Sequence, residues 1–367
     1  MFIRTNFFDT VQINNDNETD RFFIHNRKYL GAKFRIITFL KEVILSEVKD
    51  EITVFVDGFA GTGVVGHYFT SISHKVISND ILFSNYIVLR TFLNTHKKNA
   101  SLKKVKTLIA ELNQSEPFEG YVYANFGGSY FTCENAGLID SIRERIESFY
   151  SEKRCSLQEK YILLTSLLYA VDKVANTVGQ YDAFLKHIGK QSYSKSGTHR
   201  IDSNVYKRIQ LKMPALNYHN NNKVYCKDLN ELIAEIQGDV LYLDPPYNNR
   251  QYIDCYHVLE NIMVWNKPEL SGKTRKFERE HLKSKFSRKQ EAITAFTDLI
   301  VQAKVKHIFL SYNNEGIIPD EIIHSVLEAK GQVQVREQQY SIFGNGAGRA
   351  VKRDIKERIF YCRVFNG

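Results

Sequence analysis

The stretch LYLDPPYNNRQY (Leu241–Tyr252) sets an acid and an aromatic on either side of two consecutive prolines, directly after an apolar run. Proline fixes φ and offers no N–H, so Pro245 and Pro246 end any strand ladder and leave Asp244 and Tyr247 projecting from a rigid corner. A strand-ending turn with an ordinary surface acid would look the same. A preorganised carboxylate beside an aromatic plate can also do chemistry on a flat ligand. An amino group on an aromatic ring is a poor nucleophile, because its lone pair is delocalised into the ring. A site that accepts both N–H hydrogens, one on the Asp244 carboxylate and one on the Pro245 carbonyl, localises that lone pair, while Tyr247 holds the ring by stacking. If the ring is a base in a duplex it must first leave the stack, at a cost that such stacking partly recovers.

A second constellation lies upstream. VFVDGFAGTGVVG (Val54–Gly66) reads as a strand, an acid, a glycine-bearing turn and a helix start. Its glycines, among them Gly61 and Gly63, let the backbone turn tightly and approach a ligand closely. No Lys-Ser/Thr follows, which separates it from the phosphate loop. Asp57 before the glycines and Phe59 between them separate it from the ordinary dinucleotide fingerprint. Asp80, in ISNDI at the end of the next strand, follows Asp57 by 23 residues, a spacing suited to an acid that accepts from ribose hydroxyls. Each feature alone is matched by a generic loop or a turn Asp. On successive strands they favour an adenosine-containing cofactor.

Other chemistries find less support. The five cysteines (Cys133, Cys155, Cys226, Cys255, Cys362) are scattered without a CxxC pair, against a structural zinc or a disulfide framework and in keeping with a reducing cytosol. Cys255 is not in a Pro-Cys nucleophile motif, and the HxE and PCxxC signatures of zinc deaminases are absent. His257 and Glu260, at i, i+3 in CYHVLENIMVW, read as packing behind the site rather than as metal ligands; no metal is expected. Trp265 reads as core.

The elements that must position these residues alternate. ITVFVDGFAGTG, KVISNDI, NKVYCKDL, DVLYLDPPY and HIFLSYNNEG are short, β-branched and aromatic, without clean alternation, as in parallel strands covered on both faces. Helical periodicity runs through GAKFRIITFLKEVILSEV, NAGLIDSIRERIESFYSEK, LQEKYILLTSLLYAVDKVAN and IIPDEIIHSVLEAKG. The pattern predicts a doubly wound, mostly parallel Rossmann-like α/β sheet with ligands at the strands' carboxyl ends. QVQVREQQYSIF and RIFYCRVF predict a C-terminal antiparallel pair at its edge. Residues 85–222 break the alternation with amphipathic helices and polar, basic loops, predicting a mostly helical domain inserted into a core of 1–84 and 223–367. With 367 residues, 43% hydrophobic, the chain has ample material for a core, and 50 Lys+Arg against 41 Asp+Glu suit a polyanionic partner. The basic stretches SGTHRIDSNVYKR and GAGRAVKR nominate Arg200, Lys207, Arg208, Arg349 and Lys352 for phosphate contact. Arg250 and Tyr252 either touch the strand of an extruded base or cap the next helix. No cleavable leader pattern or bilayer-length apolar run occurs, so a soluble cytoplasmic protein is expected.

At these residues the chain resembles the S-adenosylmethionine-dependent DNA adenine-N6 methyltransferases of the Dam-like (D12) class. NRKYLGAKFRIITFL is similar to that family's N-terminal cofactor segment, which implies cofactor roles for Tyr29 and Lys33. VDGFAGTG resembles its Gly-rich loop, with Phe59 against the cofactor, although Gly58 stands where Dam has proline. SNDI matches the ribose acid (Asp80) and DPPY the catalytic tetrad (Asp244, Pro245, Pro246, Tyr247). YCKDL and FLSYNNEG are weaker matches, the first implying Asp228 near the cofactor adenine. The order of cofactor region, recognition module and tetrad is the family's alpha arrangement. The resemblance implies direct transfer of the sulfonium methyl to a flipped adenine in double-stranded DNA, without a covalent intermediate. It also implies a role as the modification enzyme of a restriction system, with an endonuclease that acts on the same site without a stable complex. N4-cytosine and glutamine enzymes of this fold carry Ser or Asn in place of Asp244. An RNA adenine enzyme, or an inactive DNA-binding relative, stays open as an alternative.

Overall fold

The computed structural model describes residues 21–185, 203–219, 221–339 and 356–365; Arg200, Arg349 and Lys352 lie outside them. The described residues begin with β1 (Arg21–Phe22) and two 3-10 turns, then run through α1 (Ile37–Glu47), β2 (Val54–Asp57), α2 (Val64–Phe69) and β3 (Lys75–Asn79). Five helices follow: α3 (Phe83–Leu93), α4 (Leu102–Leu112), α5 (Tyr121–Phe126), α6 (Cys133–Ser151) and α7 (Leu157–Val174). After β4 (Met213–Pro214) come β5 (Lys223–Tyr225), α8 (Leu229–Leu232), β6 (Gln237–Leu243), α9 (Tyr252–Val264) and α10 (Ala292–Gln302). The C-terminal part is β7 (Lys304–Asn313), α11 (Asp320–Glu328), β8 (Gly331–Gln339) and β9 (Lys356–Val364).

A seven-stranded sheet has the order β5-β3-β2-β6-β7-β9-β8. The first five strands are mutually parallel, and β9 runs antiparallel to both β7 and β8. This is the mostly parallel α/β sheet with a C-terminal antiparallel pair that the sequence pattern predicts. Successive side chains of the parallel strands enter opposite apolar layers. Phe55, Val76, Val240, Tyr242 and Phe309 pack with α1 on one face. Val56, Ile77, Leu241, Leu243 and Ile308 pack with α8, α10 and α11 on the other. Double coverage explains why the strands read as continuous apolar runs. Connections fan one way from β2 and the other way from β6, so a crevice opens between these neighbours at their carboxyl ends.

Between β3 and β5 the described residues carry helices α3–α7. One apolar cluster takes in α3–α7 together with Cys255, Tyr256, Leu259 and Ile262 of α9. β4 pairs in parallel with β1, a two-residue pairing too short to leave a periodic signal. Gly31–Val48 reads as one helix in sequence, but Lys33–Ile36 form a 3-10 turn and α1 begins only at Ile37. Gly31 at φ +75° and Ala32 at ψ 124° deny the segment a helical entry. Trp265 is half-buried against the large cluster, at the left-handed C-cap of α9. No helix among the described residues is long and apolar enough to cross a membrane.

Gly63 shows how tightly the Gly-rich turn is built. It starts α2 at φ +81°, and a Cβ there would lie 2.5 Å from Leu89 Cδ2 and 3.1 Å from Ile24 Cδ1. Gly63→Ala is therefore expected to destabilise the fold by about 1–3 kcal/mol, measured as a lower midpoint of thermal unfolding.

Candidate active site at three adjacent strand ends

β2, β3 and β6 are neighbours, and each delivers a carboxylate at its carboxyl end: Asp57, Asp80 and Asp244. The Gly-rich turn is wedged between them, with Gly58 N–H donating to the Tyr242 carbonyl (3.0 Å) and Ala60 N–H to that of Asn79 (2.9 Å). These bonds extend both ladders into the turn and fix where its backbone faces the crevice. The crevice holds about 940 Å³ of space not filled by protein atoms, open solvent at its mouth included. Tyr29, Lys33, Asp57, Phe59, Gly61, Asp80, Asp228, Asp244 and Pro246 all line it. Gly63 caps α2 and, like Pro245 and Tyr247, is not among the lining residues; Tyr247 packs partly buried against the apolar layer that holds Phe286 and Ile318.

Each acid is held differently. Asp57 is 1% exposed; one carboxylate oxygen accepts from Gly66 N–H (2.9 Å), while Oδ1 is buried without a hydrogen-bond partner. Burial, with smaller contributions from the charges of Asp244 and Asp80, pushes its pKa up to about 7. Asp80 accepts from the N–H groups of Gly61 and Leu82, both at 2.9 Å. Burial raises it to about 6 against the opposing pull of those bonds, the Asn85 amide and the Arg27 charge. Asp244 meets the Lys33 ammonium at 3.0 Å, both side chains largely enclosed. Tyr247 is tied through its backbone, its carbonyl accepting from Ile317 N–H (2.9 Å) in the loop after β7. That loop follows the Ser311–Asn313 stretch, which is how β7 helps to hold the tetrad.

The N-terminal segment crosses the crevice and is tied on both sides. Leu30 N–H donates to the Tyr256 hydroxyl (2.7 Å), and the Tyr252 hydroxyl donates to the Leu30 carbonyl (3.3 Å). Tyr29 stacks on Tyr256 at 4.4 Å between centroids, and its ring lies 3.3 Å from where a Gly61 Cβ would be. Tyr252 is thus the first residue of α9 and a clamp on the segment. Phe59 meets Phe286 edge-on at 5.1 Å. Ser284 and Leu282 join that wall, held by Gln251, whose side-chain amide both donates to the Ser284 carbonyl (3.0 Å) and accepts from its N–H (2.8 Å). Residues 282–286 sit in a basic run with no motif, so sequence reasoning missed them. Asp228, in the turn after β5, lines the crevice and also caps α8 by accepting from Asn230 N–H (2.8 Å).

Glu260 accepts from Phe83 N–H (2.7 Å) and Ser84 N–H (2.9 Å), capping α3 directly after the Asp80 turn. His257 is buried against the Thr274 carbonyl (Nε2, 2.7 Å), and burial lowers its pKa to about 4. Both residues pack behind the site, as their i, i+3 spacing suggests. Arg250 pairs with Asp182 (2.7 Å) and Gln180 (2.5 Å). Arg208 pairs with Glu134 (3.2 Å) and donates to the Ser115 carbonyl, and Lys207 donates to Asn204 Oδ1 (2.8 Å). These three are exposed but engaged within the protein.

Comparison with known proteins agrees with the geometry. The family model for D12 class N6 adenine-specific DNA methyltransferases matches residues 29–323. Type II methyltransferase M.FokI of Planomicrobium okeanokoites is 37% identical over 321 residues, covering 83% of this chain and 47% of its own. Modification methylase StsI of Streptococcus sanguinis is 32% identical, covering 92% of this chain and 52% of its own. The chain therefore spans about half the length of these two relatives. It spans 92% of type II methyltransferase M.NlaIII of Neisseria lactamica, which is 35% identical over 325 residues.

The buried, half-satisfied Asp57 carboxylate has a consequence for stability. Its folded pKa lies above its unfolded value of 3.8, so the protonated form stabilises the fold below that value, and the contribution fades as pH rises through about 7. Asp57→Asn keeps an acceptor for Gly66 and removes the buried charge. It is expected to raise the unfolding midpoint by a few degrees at pH 8, with the gain shrinking toward pH 5, as read by thermal denaturation across pH.

Proposed function

Because the chain belongs to the D12 class of N6 adenine-specific DNA methyltransferases, we propose that it methylates the N6 amino group of a flipped adenine at a specific site in double-stranded DNA. The observation that carries this reading is Asp244, placed by two prolines beside Tyr247 and in the crevice that holds Asp57 and Asp80. S-adenosylmethionine is the cofactor that suits this crevice, supplying a methyl group on a sulfonium. The orphaned Asp57 Oδ1 calls for a donor such as an ammonium group. Asp80, fixed by two backbone N–H groups, retains acceptor capacity for ribose hydroxyls. Asp228 and Phe59 suit the adenine ring and its surroundings, and Tyr29 and Lys33 close the segment over the cofactor.

The protein's part in the reaction is positioning and electrostatics. The Asp244 carboxylate and the Pro245 carbonyl accept the two hydrogens of the adenine amino group, returning its lone pair to nitrogen, and Tyr247 stacks on the base. Asp244 need not be a strong base, since the amine becomes acidic only as the new bond forms. Lys33 orients the Asp244 carboxylate and balances its charge in the crevice. Residues 85–222, which carry Lys207 and Arg208, form the target-recognition region in this reading, joined in DNA contact by Arg200, Arg250, Arg349 and Lys352. Relatives named as modification methylases support a role as the modification half of a restriction system. A cognate endonuclease would then act on the same site without forming a stable complex, and both would work in the cytoplasm.

Transfer of labelled methyl from S-adenosylmethionine to duplex DNA, with incorporation at adenine N6, tests the reading; no incorporation into any duplex refutes it. Asp244→Ala is expected to reduce turnover by at least about three orders of magnitude while S-adenosylhomocysteine still binds, because the acceptor of the amino hydrogens is lost but the cofactor wall stays. Near-normal turnover of that variant would remove Asp244 from its role. Lys33→Met is expected to lower kcat about tenfold or more, seen in single-turnover rates at saturating cofactor.

A further inference from the structure

The stretch between α9 and α10 is basic, and most of its cations are neutralised within the chain. Lys267 pairs with Glu144, Lys276 with Asp254 (3.3 Å), Arg279 with the same acid, Lys283 with Glu280 (2.7 Å) and Arg288 with Glu291 (3.1 Å). Lys273 and Arg275 differ. Both are exposed, and among the described residues neither side chain meets an acid, a hydrogen-bond acceptor or a ring. The same holds for Lys285 and Lys289; what sets Lys273 and Arg275 apart is the backbone that carries them. Ser271 and Lys276 close a tight antiparallel bridge, each N–H donating to the other's carbonyl (2.8 and 3.0 Å), with Gly272 at φ +69° and Arg275 at φ +55°. A left-handed φ is costly for a residue with a Cβ. Between the two cations the Thr274 carbonyl accepts from His257 Nε2 (2.7 Å) and from the Tyr130 hydroxyl (3.2 Å), two fully buried side chains. The hairpin tip is thereby pinned to the core through its backbone while the flanking side chains stay in solvent. A charge that served solubility alone needs neither the strained angle nor the buried anchors.

The hairpin is also tied to the residues that follow the tetrad. Its foot rests on Asp254 in the first turn of α9, through Lys276 and Arg279. Gln251 and Tyr252, at the start of the same helix, line the crevice. The Tyr130 hydroxyl that reaches Thr274 also donates to the Tyr181 carbonyl (2.7 Å), and the neighbours of Tyr181, Gln180 and Asp182, hold Arg250. One hydroxyl thus joins the hairpin to the loop that holds Arg250. We propose that Lys273 and Arg275 clamp backbone phosphates of duplex DNA beside the catalytic corner. Phosphate oxygens accept from the Arg275 fork and the Lys273 ammonium, with no rearrangement of a backbone already fixed. Two uncommitted cations on a rigid hairpin complement a polyanion, and unlike Arg208 and Arg250 they break no internal ion pair to do so. The contact carries no base information; it sets the register of the duplex against Asp244. This rests on the reading of the chain as a DNA methyltransferase.

The test is duplex DNA binding by fluorescence anisotropy, with S-adenosylhomocysteine present, from about 50 to about 200 mM salt. Lys273→Ala/Arg275→Gly, in which glycine keeps the left-handed angle, should weaken binding about tenfold at about 100 mM salt and make the slope of log affinity against log salt shallower by about two. Lys273→Ala alone touches no strained angle and should take about half of that change in slope. Lys223→Ala/Arg363→Ala removes the same charge at the opposite edge of the sheet, where β5 begins and β9 ends, and should leave the slope in place. In labelled-methyl transfer the double hairpin variant should show a KM for DNA raised about tenfold, with an affinity for S-adenosylhomocysteine equal to that of the wild type. An unmoved slope in both hairpin variants, or an equal change in the Lys223/Arg363 pair, overturns the proposal. Absence of duplex binding by the wild-type protein would instead refute the reading of the chain as a DNA methyltransferase, and this inference with it.

Discussion

Three carboxylates at the ends of three adjacent parallel strands form the constraint around which this fold is arranged. Parallel strands deliver their carboxyl ends to one edge of the sheet, so acids there meet, and burial penalises their charges together. Asp57 and Asp80 are both pushed upward, chiefly by burial. The compensation is local. Backbone N–H groups of the Gly-rich turn, of α2 and of the turn after β3 reach Asp57 and Asp80, and Lys33 reaches Asp244. The glycines matter here because only an exposed, unencumbered backbone can bring its N–H groups to two acids at once.

The counter-charges come from outside the sheet. Arg27 and Lys33 both ride on the short segment before α1, which has almost no regular structure of its own and is held by side chains of α9 and α3. Such a segment cannot hold two cations near buried acids by its intrinsic conformation. The tyrosines Tyr252 and Tyr256 supply what the missing backbone ladder does not, and they stand on the helix that directly follows the tetrad. The tetrad and the segment are therefore positioned by one helix.

Much of this is legible in the sequence because its determinants are local. Strand runs, the proline corner and the glycine turn each announce themselves within a dozen residues, and the alternation of strand and helix follows from them. The C-terminal antiparallel pair is visible for the same reason. The rest is not, because it lies in long-range side-chain contacts. Nothing near Gln251 signals its clasp on Ser284, and nothing near Arg27 signals Asn85, 58 residues away. The start of α1 escapes the periodicity because Gly31 breaks an otherwise helical apolar period at one backbone angle. Basic side chains nominated for phosphate contact, Arg208 and Arg250, turn out to be engaged with acids of their own chain, an outcome that charge patterning alone cannot foresee.

Helix α9 is also packed into one body with helices α3–α7. Its last carbonyls, at Ile262 and Met263, accept from the guanidinium of Arg143 on α6 (2.9 and 3.1 Å), and Arg143 is 2% exposed. In the other direction Glu260 of α9 caps the first N–H groups of α3. A cation at a helix C-terminus and an acid at a helix N-terminus both follow the helix dipole, and here each cap comes from a different helix. With the apolar cluster continuous across the same contacts, moving α9 against α3 and α6 would expose buried charge as well as apolar surface.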